Sequence, residues 1–487
     1  MKILQIAYYF PPMGGAGVQR GLKFARFLPL HGVQPVVLAC DDPFYVRDES
    51  LLGEVPAALE VQRVAHSPWL ARLARLAASR QASTAGAGSA VAASTPPGGT
   101  SLRSMLRGTS LGSMLRDTAL RSIRALQWPD DAAPWARQAL RQARHIVRSH
   151  AAAGTPIDLV FSSAPPASAH WLGQRIAHEA GLPWVADHRD LWTDNPAYDA
   201  PGWRRALDRR TEQRWFNQAC GVVTVTPSWR ELLALRCPAG TPVAFIPNGY
   251  DEDDFAALAA PARDPGVFTL VHTGTFYGPR DPAGLLGGLT RYLDGPRVGH
   301  ATLRVRLVGN MGARFAEAVA AFSQRHPGVV SSVPYLPHRQ ALAELVAADA
   351  LLLVVGGGRG PAVRGWLPGK IFEYLRSGQP VLTLGEPEGD AAELIRQHSR
   401  GPVVNGDDSA GIAQAVADLV QGRWSGSGSG SGSAPTPAPA PVPALAAAGG
   451  TIASHGQAHS ARIFERRELA GQLAAFLREC QARHRAA

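Results

Sequence analysis

Lys370 and Glu373 are the pair of residues whose types and spacing point most directly to chemistry. They lie three positions apart in WLPGKIFEYLRSGQPVL, near the start of a predicted helix, and therefore share one face of it. A lysine can bind a diphosphate as a point charge, and a carboxylate one turn away can accept hydrogen bonds from both hydroxyls of a ribose. The pair predicts a nucleotide site; the simpler alternative is an exposed helical ion pair worth about 0.3–0.5 kcal/mol.

Three glycines, Gly14, Gly15 and Gly17, stand at the turn between the first predicted strand and a helix predicted from about Val18 to His31. Backbone N–H groups and the helix dipole at such a turn favour an anion, and glycine permits its close approach. A tight turn also needs glycine for steric reasons, so turn geometry explains these residues equally well. The match to GxGxxG is partial, since Arg20 stands at the third glycine position.

A third candidate is the run Asp187, His188, Arg189 and Asp190, which ends the predicted strand in VADHRDLW. The carboxyl ends of parallel strands border ligand clefts, so this density of ionisable groups predicts a cleft wall. The structural alternative is a hydrogen-bonded His188 beside a local ion pair between Asp187 and Arg189.

The elements that must position these residues alternate between strand and helix in both halves of the chain, which predicts two doubly wound parallel sheets. Residues 79–100 are rich in small residues and proline and read as a flexible insertion. The expected organisation is an N-terminal Rossmann-like domain at 1–258, a C-terminal Rossmann-like domain at 259–424, a Gly/Ser/Pro/Ala linker at 425–456, and at 457–487 a terminal helix that packs on the N-terminal domain.

Composition narrows the class of protein. The chain has 487 residues, of which 45% are hydrophobic, and four scattered cysteines without a CxxC pair, so neither a disulfide framework nor a zinc site is expected. No segment is long and apolar enough to predict a membrane-spanning helix. The net charge is +10, and a basic helical region at 103–148 predicts either surface helices or a patch that contacts an anionic membrane.

The segment FEYLRSGQPVL resembles the C-terminal half of the retaining GT-B glycosyltransferases of family 4, in which a glutamate at such a helix binds the ribose of a nucleotide-sugar donor. The resemblance implies two Rossmann-like domains facing across a cleft. It extends to further segments of the chain: PPMGGAGVQR near the start, VADHRDLWTD at 185–194, IPNGYD at 246–251 and HTGTFYGPRDP at 272–282.

Carried over by position, the resemblance implies that Glu373 holds the ribose and that Lys370 and Arg280 bind the diphosphate. The loop from Gly14 to Gly17 would face the donor phosphates and the acceptor. His188 would orient the sugar or acceptor, with Asp187, Arg189 and Asp190 on the same side. No metal or cofactor is implied beyond the nucleotide diphosphate sugar.

The sequence departs from the family pattern at the first glutamate of the E-x7-E signature, where this chain has Gly365. Two basic positions after the first strand of the second domain are also changed, to Thr275 and Asp281. The missing positive charge could come from Arg280, Arg364 and Lys370. The identity of the donor sugar is therefore not transferred.

The expected function is transfer of a sugar from a nucleotide diphosphate sugar to a glycan or lipid-linked acceptor, with retention, in bacterial surface polysaccharide assembly. The expected location is the cytoplasm, with the inner face of the cell membrane as an option.

Two alternative functions stay open. Asp41 and Asp42 after the second strand would suit an NAD-dependent oxidoreductase, although Pro11 and Pro12 argue against it. The second alternative is a non-catalytic sugar-nucleotide-binding protein, because Gly365 stands where the family has its first glutamate. Nucleic acid is not an expected partner, since only net charge favours it.

Overall fold

The computed structural model describes the following residues: 1–43, 45–66, 127–256, 258, 263–264, 266–276, 281, 283–295, 302–356, 360–398, 401–423 and 462–486. The predicted insertion at 79–100, most of the basic region before residue 127, Arg280 and the predicted linker at 425–456 lie outside them. The chain forms two compact units. The first contains Met1–Glu252, Gly357–Gly369 and Phe464–Ala487, and the second contains Asp253–Gly356 and Lys370–Ile463.

The first unit is built on a sheet of seven parallel strands in the order β3-β2-β1-β4-β5-β6-β7. Its inner strands are near-continuous apolar runs because both faces of the sheet are covered. The strands are β1 (Lys2–Ala7), β2 (Gln34–Asp41), β3 (Glu60–Ala65), β4 (Leu159–Ala164), β5 (Trp184–His188), β6 (Gly221–Thr224) and β7 (Val243–Phe245). The register is fixed on both sides of β1, where Ile3 lies opposite Pro35 and Leu159.

The helices up to residue 255 are α1 (Ala16–Phe27), α2 (Ala133–Ala152), α3 (Ala167–Ala180), α4 (Gly202–Phe216), α5 (Pro227–Ala234) and the single turn α6 (Glu252–Phe255). Short 3-10 helices span Leu28–His31, Glu49–Glu54 and Arg462–Phe464. Helix α2 buries Trp135, Ala139 and Ile146 in the core. Its opposite face carries the basic residues Arg137, Arg141 and Arg148.

The second unit has a sheet of six parallel strands in the order β10-β9-β8-β11-β12-β13. The strands are β8 (Val267–Thr273), β9 (Thr302–Val308), β10 (Val330–Val333), β11 (Ala350–Val354), β12 (Val381–Leu384) and β13 (Val403–Val404). The remaining helices are α7 (Ala283–Asp294), α8 (Ala313–Arg325), α9 (His338–Ala347), α10 (Pro361–Arg364), α11 (Ile371–Ser377), α12 (Asp390–His398), α13 (Ser409–Val420) and α14 (Arg466–Ala486).

Two of these helices belong to the first unit although they follow the second unit's first strands in sequence. Helix α10 packs there because the indole Nε1 of Trp229 donates a hydrogen bond to the Ala362 carbonyl at 2.8 Å. Helix α14 buries Leu469, Leu473 and Leu477 in a core cluster shared with Phe24 of α1 and with the sheet. The expectation that the terminal helix packs on the N-terminal domain agrees with this placement.

The predicted fold class, two doubly wound parallel α/β sheets, is confirmed. In each sheet the strand order reverses direction beside the first strand, between β1 and β4 in one and between β8 and β11 in the other. Ligands of such sheets bind outside the carboxyl ends of the strands at this point. In the described part of the chain, no helix combines the length and apolar character required to span a bilayer.

Candidate functional site

Lys370 lies at the strand-order reversal of the second sheet, immediately before helix α11. Its ammonium donates a hydrogen bond to the carbonyl of Thr273, the last residue of β8. It also lies 3.2 Å from Nε2 of His272, whose Nδ1 donates to the Leu352 carbonyl at 2.9 Å. With its proton on Nδ1, the ring presents Nε2 as an acceptor to the lysine. The lysine is thus anchored at the carboxyl end of β8.

Gly274 follows β8 directly and has a φ of +125°, a backbone conformation that favours glycine. A Cβ atom at this position would overlap the Lys370 ammonium. Glycine is therefore required here both by the backbone and by the lysine. The glycine of HTG thus leaves room for the lysine ammonium at the carboxyl end of β8.

Glu373, in the first turn of α11, is hydrogen-bonded to His338, the first residue of α9. The two atoms, Oε1 of the glutamate and Nε2 of the histidine, are 2.9 Å apart, and the glutamate side chain keeps 20% of its surface exposed. Because a carboxylate only accepts hydrogen bonds, the histidine nitrogen is the donor. The predicted ribose-binding carboxylate is therefore held in one orientation and still reaches solvent.

Tyr374 fixes the position of α11 against the sheet. Its hydroxyl accepts a hydrogen bond from the Thr273 N–H at 3.0 Å and lies 3.4 Å from the Leu352 carbonyl. The side chain is fully buried, and burial raises the pKa of the phenol to about 12. The hydroxyl consequently stays protonated and ties the helix to the ends of β8 and β11.

The glycine loop lies at the corresponding reversal of the first sheet. Gly15 precedes α1 with a φ of +84°, so this position requires glycine, and no side chain caps the helix. The Gly14 N–H donates to the Val46 carbonyl at 2.7 Å. The Gly17 carbonyl accepts from the Arg189 guanidinium. The structure therefore brings together the predicted residues Gly17 and Arg189.

Asp187 is fully buried, and its partner is Arg20 instead of the neighbouring Arg189. The carboxylate accepts from Arg20 at 2.8 and 2.9 Å and from the Ser163 hydroxyl at 2.7 Å. Arg20 also donates to the Pro247 carbonyl at 3.0 Å. The ion pair between Asp187 and Arg189, the structural alternative considered from the sequence, is not formed, and Arg189 instead donates to the Gly17 and Pro165 carbonyls. The Asp187 carboxylate supports the site from within the core and does not face an acceptor.

His188 is also buried, with 1% of its surface exposed. Its ring packs 4.4 Å from that of His170 and 5.2 Å from that of Phe216. Neither ring nitrogen has a hydrogen-bond partner among the described residues, and burial lowers the pKa to about 4. The hydrogen-bonded histidine considered from the sequence is therefore absent, and the ring does not reach the surface directly. Asp190, two residues further on, is exposed.

Gly365 occupies the position at which the family pattern has its first glutamate. A Cβ atom here would overlap the indole of Trp229 and lie 2.9 Å from the Thr226 hydroxyl oxygen. The backbone is unstrained, with a φ of −83°. Packing against Trp229, a contact with no signal in the sequence, therefore explains why this position carries no side chain.

Among the remaining predicted residues, Arg364 is exposed at the end of α10. Asp281 accepts a hydrogen bond from the Ala283 N–H at the start of α7, so its carboxylate caps that helix. Arg280 lies outside the described residues. Sequence reasoning also missed His338 and Arg20, the partners of Glu373 and Asp187. For Arg20 a signal existed, since it replaces the third glycine of GxGxxG.

Comparison with known proteins supports the fold. Residues 106–254 match the model of Glycosyltransferase Family 4. Sucrose-phosphate synthase of Thermosynechococcus elongatus is similar in structure over 99% of both chains, with a TM-score of 0.58 and 13% identity. Anabaena HepE in complex with UDP-glucose is similar over 98% of this chain and 100% of its own, with a TM-score of 0.56 and 14% identity.

A glycosyltransferase of Rickettsia africae is similar over 98% of each chain, with a TM-score of 0.55 and 11% identity. A sequence search of curated proteins gave no match. At these identities the structural likeness establishes the fold alone, and the family match covers residues 106–254. The chain therefore has the two-sheet α/β fold of solved GT-B glycosyltransferases, and its residues 106–254 are similar to Glycosyltransferase Family 4.

Proposed function

We propose that the chain transfers a sugar from a nucleotide diphosphate sugar to a glycan or lipid-linked acceptor, with retention at the anomeric carbon. The observation that carries this proposal is the placement of Lys370 and Glu373 at the start of one short helix, at the strand-order reversal of the second sheet. The UDP-glucose bound in the structurally similar Anabaena HepE supports the class of donor. A role in bacterial surface polysaccharide assembly is part of the proposal.

Lys370 is proposed to neutralise the diphosphate, and Glu373 to accept hydrogen bonds from the ribose hydroxyls. The lysine is held by the Thr273 carbonyl, so its charge stays at the end of β8. The glutamate is oriented by His338. Arg280, outside the described residues, remains the proposed second cation at the diphosphate. The glycine loop from Gly14 to Gly17 is proposed to face the donor phosphates and acceptor.

The proposed mechanism uses electrostatic stabilisation and alignment. As the bond between sugar and diphosphate breaks, negative charge grows on the leaving phosphate, and a fixed ammonium stabilises that charge most in the transition state. The acceptor hydroxyl attacks from the same face, and its proton passes to the leaving phosphate. The positive charge comes from side chains, so the proposal includes no metal ion or cofactor.

The residues at the end of β5 divide into two roles in this proposal. Asp187 positions Arg20, and His188 packs behind the strand end, so both act as positioning residues. Arg189 fixes the glycine loop through the Gly17 carbonyl and donates to the Pro165 carbonyl at 2.9 Å. Asp190 is exposed and is proposed to meet the acceptor side directly.

The donor site is tested by thermal unfolding of the purified protein with UDP, GDP, dTDP or ADP. A nucleotide at about one hundred times its Kd should stabilise the protein by about 2.7 kcal/mol. Each charged hydrogen bond contributes about 1.5–3 kcal/mol, so Glu373→Ala and Lys370→Ala should weaken binding of that nucleotide about tenfold or more. Glu393→Ala, an exposed glutamate in the first turn of α12, is the matched control.

Turnover then completes the test. With the nucleotide identified, its sugar conjugates are assayed for transfer, and the anomeric configuration of the product is read by NMR. Normal turnover and normal donor KM in both Glu373→Ala and Lys370→Ala would remove the assignment. A product with inverted anomeric configuration would contradict only the proposed retention, and not the donor site.

A non-catalytic sugar-nucleotide-binding protein is the second candidate, and the packing of Gly365 against Trp229 favours it because no side chain can replace the family's first glutamate there. Binding without transfer, over a broad set of acceptors, would support this candidate. The oxidoreductase alternative predicts stabilisation by NAD(H) alone. Its proposed acidic residues are engaged, since Arg47 pairs with Asp41 at 3.4 Å and the Tyr8 hydroxyl donates to Asp42 at 3.3 Å.

Peripheral contact with an anionic membrane is proposed through the described part of the basic region. Arg137, Arg141 and Arg148 lie on the exposed face of α2, at the spacing that places them along one side of a helix. Such a stripe attracts anionic lipid at the inner face of the cell membrane, where a cytoplasmic enzyme would meet a lipid-linked acceptor.

A further inference from the structure

A second binding cavity lies in the first unit, at the carboxyl ends of β4 and β5. Its volume is about 260 Å³, enough for a ligand the size of a sugar ring. Asp190 is the one residue of its lining that the sequence had singled out. The lining residues are Ala164, Pro165, Ala167, His170, Asp190, Leu191, Trp192, Asn195, Ala197 and Tyr198.

The charge of the lining argues against an anionic ligand. It contains the carboxylate of Asp190 and neither lysine nor arginine. Two arginines touch lining residues from outside the cavity, where Arg189 donates to the Pro165 carbonyl and Arg205 to the Tyr198 carbonyl, both at 2.9 Å. A phosphate in the cavity would meet a like charge, whereas a neutral ligand with hydroxyl groups would find an acceptor.

The loop that forms one side of the cavity is fixed by its own hydrogen bonds. The Asn195 side-chain oxygen accepts from the Ala197 N–H at 2.9 Å, and the Asn195 carbonyl accepts from the Tyr198 N–H at 2.8 Å. The indole of Trp192 stacks on that of Trp215, with ring centres 5.0 Å apart and planes at 20°. An aromatic surface is therefore held in place before any ligand binds.

His170 also lines the cavity, and its ring is fixed on the side of the core. Its Nδ1 lies 2.9 Å from the Ser162 hydroxyl oxygen, which accepts from the Trp184 indole at 2.8 Å. The ring is buried, and burial lowers its pKa well below the ordinary value, so it brings no positive charge to the cavity. The polar side chains of the lining are then the Asp190 carboxylate, which accepts hydrogen bonds, and the Asn195 amide, which can also donate.

We propose that this cavity binds one neutral saccharide unit of the acceptor. A sugar ring presents an apolar C–H face, which suits Trp192 and Tyr198, and hydroxyls that both donate and accept, which suit Asp190 and Asn195. That the bound saccharide belongs to the acceptor rests on the proposed transferase function. Binding of a saccharide in the cavity does not depend on the transferase function. Saccharide binding and sugar transfer are therefore tested separately.

The test measures binding of uncharged methyl glycosides by saturation-transfer NMR and calorimetry. The probes are the methyl α-glycosides of glucose, galactose, mannose and N-acetylglucosamine, with glucose 6-phosphate as the anionic counterpart. At least one methyl glycoside should bind, and glucose 6-phosphate should bind more weakly than methyl glucoside. Trp192→Leu and Asp190→Asn should each weaken binding of that glycoside about tenfold. Asp199→Asn, an exposed aspartate outside the lining, should leave it unchanged.

Asn195→Asp provides a variant with a smaller risk to folding, because its carboxylate can still accept from the Ala197 N–H while losing the amide donor. It should weaken glycoside binding at an unchanged melting temperature. Failure of all four glycosides to bind, binding that these three variants leave unaltered, or a preference for glucose 6-phosphate would each overturn the proposal. Stabilisation by nucleotide, and its loss in Glu373→Ala, report on the donor site independently of these outcomes.

Discussion

His188 shows how a single buried side chain couples stability to pH. In the folded chain its pKa is about 4, against about 6.5 in an unfolded chain. Because the unfolded state binds the proton more readily, the free energy of unfolding falls as pH decreases from about 6.5 towards 4, by up to about 1.4 kcal/mol per pH unit. His170 acts in the same direction.

Replacing His188 by leucine should make this loss of stability shallower. The measurement is urea unfolding of the wild type and of His188→Leu at several pH values between 4.5 and 7. Asp130 contributes with the opposite sign, because burial raises its pKa to about 6, but it is present in both proteins and cancels in the difference. His188→Phe is the second variant: its stability at pH 7 differs from that of His188→Leu, but its pH dependence should match. If the free energy of unfolding depended on pH equally steeply in the variants and the wild type, His188 would not be the residue responsible.

Much of the candidate site could be predicted at the level of single residues because spacing along one helix fixes which side chains share a face. Lys370 caps the start of α11 and Glu373 lies in its first turn, at a strand-order reversal, as the sequence indicates. Their partners could not be predicted. Arg20 and Asp187 are 167 residues apart in the sequence, and His338 and Glu373 are 35 residues apart. Only the folded sheets bring these partners into contact.

At the scale of elements, α14 is the helix whose contribution to stability is simplest to test. Leu473 and Leu477 are fully buried in the core shared with α1 and the sheet. Leu473→Ala should lower the free energy of unfolding by about 2–5 kcal/mol, through lost burial and the cavity left behind. Gln472→Ala, on the exposed side of the same helix, is the control and should change stability little. The measurement is urea unfolding; similar midpoints for the two variants would show that the helix packs elsewhere.

Elements with strong periodicity or clear end signals were predicted with little error. The strands in DLVFSSA and PWVADHR became β4 and β5, and the helix in KIFEYLRSG ends at Ser377, before Gly378 with a φ of +75°. The first helix differs from its prediction. It ends at Phe27 and continues as a 3-10 helix over Leu28–His31, because Pro29 lacks the N–H that an α-helical bond would need.

For the whole molecule, the distribution of charge leads to a testable membrane interaction. The net charge is +10, and the exposed stripe of α2 concentrates part of it. The protein should co-sediment with phosphatidylglycerol-containing vesicles at low salt and be released as ionic strength rises, because screening shortens the reach of surface charges. The double variant Arg137→Glu/Arg141→Glu should bind less.

The matched control for that measurement is a double replacement of equal charge on the second unit, Arg291→Glu/Arg325→Glu, in the last turns of α7 and α8. Equal vesicle binding by the two double variants would show that net charge alone is responsible. Vesicle binding that persists in high salt would point instead to apolar insertion.

Two doubly wound units could be predicted at this scale because alternating strands and helices leave few topologies to choose from. The membership of Gly357–Gly369 in the first unit could not. It depends on the hydrogen bond from Trp229 to the Ala362 carbonyl and on the bare backbone at Gly365, and neither leaves a periodic signal in a sequence.

The division of each unit into separate stretches of the chain determines how chimeric proteins can be made from it. The first unit is assembled from three separate stretches of the chain, and the second from two. A chimera made with a single crossover near residue 258 would therefore combine the seven-stranded sheet of one parent with the α10 segment and the last helix of another. The inherited Trp229 would then face a foreign residue at position 365. Exchanging the second unit between two parent proteins therefore calls for several junctions, which leave both of those segments with the parent of the first sheet.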